Sequence, residues 1–111
     1  MNNTAKSLEI QYLAIEKTPE LDSIIEQKFA RLNKVCNYIL KCQIKIANIT
    51  RYKQKKASSL YMASINITMP EGFDLYTLRS PQNQKTDSIE GAISDVFATI
   101  YRKLIELKLE S

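Results

Sequence analysis

TPELDSIIEQKFARLNKVCNYIL, residues 18–40, is the stretch on which the reading of the fold turns. Thr18 followed by Pro19 starts a helix: the threonine hydroxyl accepts from the first free amides, and proline at the first helical position forfeits no hydrogen bond. Leu21, Ile25, Phe29, Leu32, Cys36 and Ile39 then recur at steps of four and three, which predicts a helix carrying all six on one side. That side is core. The opposite side shows Ser23, Gln27, Arg31, Lys34 and Tyr38, with Lys28 on its flank. Acids (Glu20, Asp22, Glu26) fill the first half of the helix and bases the second. Complementarity to the helix dipole explains that order without any partner. Lys28, Arg31 and Lys34, about one turn apart, also form a strip able to track phosphates.

Working outward, Leu8, Ile10 and Tyr12 alternate with Glu9 and Gln11, the period of a half-buried strand. On the other side, Lys41 to Thr50 alternates Cys42, Ile44 and Ile46 against Gln43 and Lys45, a second strand. The polar Arg51 to Lys56 segment, with Arg51, Lys53, Lys55 and Lys56 charged, separates it from a third strand over Leu60 to Met69. Tyr61, Ala63, Ile65, Ile67 and Met69 share one face of that strand. Pro70-Glu71-Gly72 is a turn by composition, Phe73 to Arg79 a fourth strand, and Ser80-Pro81-Gln82-Asn83 its end. From about Lys85, Ile89, Ile93, Val96, Ile100, Leu104 and Leu107 mark a second amphipathic helix, its stripe widened by Phe97. Asp87 and Glu90 lie early in it and Arg102, Lys103 and Lys108 late.

The predicted order is β-α-β-β-β-α, an α+β single domain over residues 1–111. A right-handed crossover through the first helix makes the first two strands parallel, and the short connections make the rest an antiparallel meander. The result is a four-stranded mixed sheet with two parallel helices packed on one face. Parallel helices bring their carboxyl ends together, so Lys28, Arg31 and Lys34 are expected near Arg102, Lys103 and Lys108. The basic Arg51 to Lys56 segment is expected at the other end, beside the helix amino termini.

A chain of 111 residues buries enough surface to need no metal or disulfide staple. Cys36 and Cys42 are read as reduced thiols, since their spacing suits no Cys-x-x-Cys site. The polar Met1 to Ser7 segment has no signal-peptide run, and no stretch approaches the roughly 18 apolar residues of a membrane span, which predicts a cytoplasmic protein that meets no membrane. Asn48-Ile49-Thr50 and Asn66-Ile67-Thr68 are then chance matches to the glycosylation pattern.

Chemistry is limited by what is missing. The sequence holds no histidine, which removes the usual general base, zinc ligand and nucleophile partner. Its two glycines, Gly72 and Gly91, cannot write a phosphate-cradling loop. Asp87, Glu90 and Asp95 sit where solvation explains them. The expectation is a chain that is not an enzyme, with no cofactor, metal or small-molecule substrate. A net charge of +4 favours an acidic partner, and Tyr52 within the basic segment offers a ring that could stack on a base.

Thr18-Pro19-Glu20-Leu21, Lys28-Phe29-Ala30-Arg31-Leu32 and Ile89-Glu90-Gly91-Ala92-Ile93 resemble, in position and spacing, the ribosome hibernation-promoting factor and ribosome-associated translation inhibitor family. The resemblance spans roughly Leu8 to Lys108, and that family's fold has the element order predicted above. It implies a stress factor seated on the small ribosomal subunit, in the channel for messenger and transfer RNA, with basic helix faces on ribosomal RNA. Lys28 and Arg31 match basic positions of the family's first helix, and Arg102 one late in its second. The length matches a short member without the carboxyl-terminal dimerising domain, expected to be monomeric off the ribosome. Two departures stand out. The family's second helix commonly carries a lysine and an arginine where this chain has Asp95 and Ala98, and an aspartate and a tyrosine where it has Gln84 and Thr86.

The RNA contacts expected on this basis are Lys28, Arg31, Lys34, Arg79, Arg102 and Lys103, supported by Arg51, Lys53, Lys55 and Lys56. Two other readings stay open: a divergent paralogue that binds a protein and no ribosome, and a general binder of double-stranded RNA.

Overall fold

The computed structural model describes residues 7–49, 60–80 and 88–110. The chain runs β1 (Ser7–Leu13), α1 (Pro19–Val35), β2 (Lys41–Asn48), β3 (Tyr61–Met69), a 3-10 turn (Pro70–Gly72), β4 (Phe73–Arg79) and α2 (Ile89–Glu110). The sheet order is β1-β2-β3-β4, with β1 parallel to β2 and the other two pairings antiparallel. The predicted fold class and element order are those observed.

Register aligns the apolar columns of the four strands. Ile10 lies opposite Ile44, Ile44 opposite Ile65, and Ile65 opposite Thr77. Because side chains alternate between faces, this single register places Leu8, Tyr12, Cys42, Ile46, Ala63, Ile67 and Leu75 on the same side. Ile25 and Leu32 of α1, and Ile93, Val96, Ile100 and Leu104 of α2, close over that side in one continuous core. The central strands are buried on this face, whereas Leu8, Ile10 and Tyr12 on edge strand β1 are only partly covered. α2 lies across β3 and β4, with α1 alongside it.

α1 begins where the sequence places it. Thr18 is extended (φ −132°, ψ 154°), and its hydroxyl accepts from the Leu21 amide at 3.2 Å. The far end differs from the expected helix. Regular structure stops at Val35, and Cys36 is already extended (φ −140°, ψ 103°), although its amide still donates to the Leu32 carbonyl at 2.9 Å. Cys36 and Ile39 are nonetheless buried. They reach the core from a turn rather than from a helical face. The chain has to leave the helix axis here to bring Lys41 between Ser7 of β1 and Thr68 of β3. Asn37, whose side chain competes with the backbone for hydrogen bonds, sits in that turn.

α2 starts at Ile89, later than the expected Lys85; residues 85–87 lie outside the described residues. Ser88 acts as its cap: the Oγ accepts from the Gly91 amide at 2.9 Å and the carbonyl from the Ala92 amide at 3.0 Å. A Cβ at Gly91 would stand 2.9 Å from that Oγ, so the glycine keeps the cap in place. Between β3 and β4 the turn uses positive φ at both Glu71 (66°) and Gly72 (73°).

The helices run parallel. Lys108, near the end of α2, donates from Nζ to the carbonyl of Val35, the last residue of α1, at 3.0 Å. At the opposite end of the sheet the Ile49 amide donates to the Leu60 carbonyl at 2.8 Å. Arg51, Lys53, Lys55 and Lys56 belong to the connection between those two residues and lie outside the described residues.

β1 is tied to α1 by a polar link. The Tyr12 hydroxyl donates to Asp22 Oδ1 at 2.8 Å, and Lys17 Nζ stands 3.0 Å from Asp22 Oδ2. The hydrogen bond from Tyr12, then that from Lys17, holds the Asp22 carboxyl below the usual carboxylate range. A lowered folded-state value means that the unfolded chain takes up this proton first on acidification. The contribution is therefore present above about pH 4 and lost as pH falls through the folded value. Chemical denaturation at several pH values should show Asp22→Asn less stable than the parent at pH 6, with the difference shrinking below about pH 4.

Both cysteines are free and buried, and burial alone pushes the Cys42 thiol up to about 12. Since the thiolate is the reactive form, Cys42 should resist maleimide labelling at pH 8 in the native protein and react promptly in denaturant, read by mass spectrometry.

Candidate nucleic-acid interface

The side-by-side helices leave a groove between them. Its floor is Leu32 and Phe97, both buried, and its rim is Lys28 and Arg31 from α1 with Ser94, Ala98 and Tyr101 from α2. The cavity volume is about 240 Å³. Small side chains at Ser94 and Ala98, one turn apart, leave the opening, because nothing longer than a hydroxymethyl projects from that side of α2 there. Tyr101, one turn further on, is 41% exposed.

The expected cations separate into two groups. Lys28, Arg31 and Lys34 line up along α1, with Lys28 half-buried at the groove and the other two exposed. Arg102 is exposed on α2. Among the described residues none of these four lies within ion-pair distance of a carboxylate. Unneutralised cations on one side of a helix pair create a positive field that a polyanion can follow.

The second group is engaged within the fold. Arg79, at the end of β4, donates from Nε to Asp95 Oδ2 at 3.1 Å and from Nη1 to the Tyr61 carbonyl at 3.0 Å. Its side chain is only 11% exposed. Lys103 donates from Nζ to the Tyr76 carbonyl at 3.1 Å, which turns it toward β4 and away from α1. Lys108 caps the end of α1, where a cation complements the exposed carbonyls. The expected gathering of basic residues at the helix carboxyl ends thus forms in part. Arg31 and Tyr101 line the same groove and Lys108 reaches Val35, whereas Lys103 serves the opposite flank of α2.

Asp95 also acquires a role. It sits one turn before Thr99 on the flank facing β4, where its carboxylate meets Arg79. Its negative charge is matched locally rather than presented at the groove. Sequence reasoning passed over Tyr101 and Ser94. The available signal was a tyrosine outside the apolar stripe and immediately before two bases, Arg102 and Lys103.

Other surfaces offer less chemistry. On the face of the sheet away from the helices, Gln43 donates to Glu9 at 3.1 Å and Lys41 pairs with Glu9 at 3.5 Å, beside an open cavity of about 380 Å³ that Lys45, Ser64, Asn66 and Tyr76 also line. An apolar cleft of about 330 Å³ at the helix carboxyl ends is lined by Cys36, Tyr38, Met69, Phe73, Leu104 and Leu107, with Lys108 at its edge. Among the described residues no group of three acidic, cysteine or histidine side chains is placed to hold a metal ion. No described helix is long and apolar enough to cross a membrane.

Comparison with known proteins agrees with this architecture. The family model described as sigma 54 modulation protein / S30EA ribosomal protein matches residues 8–110. Among solved structures, the Thermus thermophilus Protein Y N-terminal domain is similar at a TM-score of 0.69 and 14% identity, over 92% of this chain and 98% of that one. A ribosomal subunit interface protein from Coxiella burnetii is similar at 0.70 and 14%, over 93% and 98%. No curated protein matches the chain in sequence.

The division of the cations yields a stability test. Urea unfolding of Arg79→Ala should show a loss of about 2 kcal/mol, since a charged hydrogen bond and the packing of a covered stem both go. Asp95→Ala, whose carboxylate is largely exposed, should cost less than about 1 kcal/mol.

Proposed function

The chain belongs to the sigma 54 modulation protein / S30EA ribosomal protein family, and from that membership we propose that it is a ribosome-binding translation inhibitor, a hibernation or stress factor. It acts without catalysis, by occupying the messenger and transfer RNA channel of the small ribosomal subunit through contacts to ribosomal RNA. The observation that carries this reading is the helix-pair face on which Lys28, Arg31, Lys34 and Arg102 stand without a carboxylate partner among the described residues. Cations left unpaired in a folded domain are the elements that neutralise phosphate and release its counterions. Lys103 adds charge from the β4 flank and Arg79 supports the fold beside it; Arg51, Lys53, Lys55 and Lys56, outside the described residues, are proposed as supporting RNA contacts on their charge alone. In this reading the protein is cytoplasmic and monomeric off the ribosome.

A second reading, a paralogue that binds a protein and no ribosome, is favoured by the apolar cleft at Tyr38, Phe73 and Leu107. One experiment separates the two. Purified protein is sedimented with ribosomal subunits through sucrose gradients at low and moderate salt, with transfer RNA as competitor. The inhibitor reading requires comigration with the small subunit, displacement by transfer RNA and a steep loss with salt. Four phosphate contacts imply a slope of log affinity against log salt of about −3 to −4. Arg31→Glu should lower the affinity about tenfold and flatten that slope by about one. Absence from ribosomal fractions at low salt overturns the reading and favours the protein partner.

A further inference from the structure

We propose that the groove between the helices takes a single unpaired nucleobase from the bound RNA, stacked on Tyr101 with its flanking phosphates on Lys28 and Arg31. The proposal rests on the RNA-binding reading of the same face and adds what that face recognises.

Charge alone does not account for the shape of this site. A double-stranded backbone is held by cations on an open surface and has no use for an apolar floor. Here Lys28 and Arg31, without a carboxylate partner among the described residues, line one groove with Leu32 and Phe97, which are buried, and with the methyl group of Ala98. An anion attached to a flat apolar ring matches that combination. A nucleotide with its base turned out of a helix is such a group.

Size and edge chemistry point the same way. A volume of about 240 Å³ falls below the roughly 300–1,000 Å³ of ordinary small-molecule sites, which suits one heterocycle rather than a free nucleoside triphosphate. Tyr101 offers a partly exposed ring at one end of the groove. The Ser94 hydroxyl at the other can donate to or accept from the edge of a base. The neighbouring Asp95 does not oppose the phosphates, because its carboxylate is turned to Arg79 on the other flank of α2.

Two RNA hairpins, identical except that one carries a single bulged 2-aminopurine, test the proposal against the full chain in fluorescence and anisotropy titrations. The bulged hairpin should bind roughly tenfold tighter, the scale of one base stacked on an aromatic ring, and its fluorescence should be quenched on binding. Tyr101→Ala should remove the preference and Tyr101→Phe should keep it. Ala98→Leu fills the groove at an exposed position without changing charge, and should bring the bulged hairpin to the affinity of the perfect one. Ala98→Arg should raise affinity for the perfect hairpin while abolishing the preference. Equal affinity of the parent chain for both hairpins, or a preference that survives Ala98→Leu, overturns base capture. If that happens while the chain still comigrates with small subunits, the ribosome reading stands without it. Bulge preference with no subunit binding supports base capture and removes the ribosome reading.

Discussion

The structure depends on one layer of branched side chains. Ile44 and Ile46 of β2 interleave with Ile65 and Ile67 of β3, and Ile93, Val96 and Ile100 of α2 close over them, with all seven essentially without solvent contact. Each such side chain contributes on the order of 1.5–3 kcal/mol when it leaves water. A slip of one residue in the β2–β3 pairing would turn the apolar set of one of these strands outward. The register is thereby fixed, and with it the position of every residue at the ends of these strands. Arg79 lies opposite Ala63 in the adjoining β3–β4 pairing, which brings its guanidinium to both the Tyr61 carbonyl and Asp95.

The same layer sets the helix geometry that the surface uses. α2 covers β3 and β4, and α1 takes the remaining side of the core, so the two helices meet along one seam. Phe97 and Leu32 fill the bottom of that seam. Above them the side chains shorten to Ser94 and Ala98, and the seam becomes a groove. A basic strip that would otherwise be an ordinary solvated helix face becomes the rim of a concave site. Three other bases are drawn into structural work: Arg79 closes the end of β4, Lys103 fastens α2 to β4, and Lys108 joins the two helix ends. A net charge of +4 is a property of the whole chain, and geometry decides which of its cations face outward.

Local pattern made most of this architecture legible. Thr18 and Pro19 mark the start of α1, the two-residue alternation marks each strand, and the four-and-three spacing from Ile89 to Leu107 marks α2. Where the pattern extended α1 through Cys36 and Ile39, both residues are in the core but not in the helix. Periodicity reports burial, and a turn can bury a side chain as well as a helix can. The end of α1 is set instead by the need to reach a strand that pairs with β1 and β3 at once.

Sequence by itself determined the order of elements, the face of each that is apolar, and the absence of histidine chemistry, because these follow from neighbours within a few residues of one another. Tertiary structure decided which cations are free, that Asp95 answers Arg79, and that Tyr101 lines the same groove as Arg31. Those facts join residues 16 and 70 positions apart. No local period connects such distances; only the packing of α2 against the sheet and α1 brings the groups together.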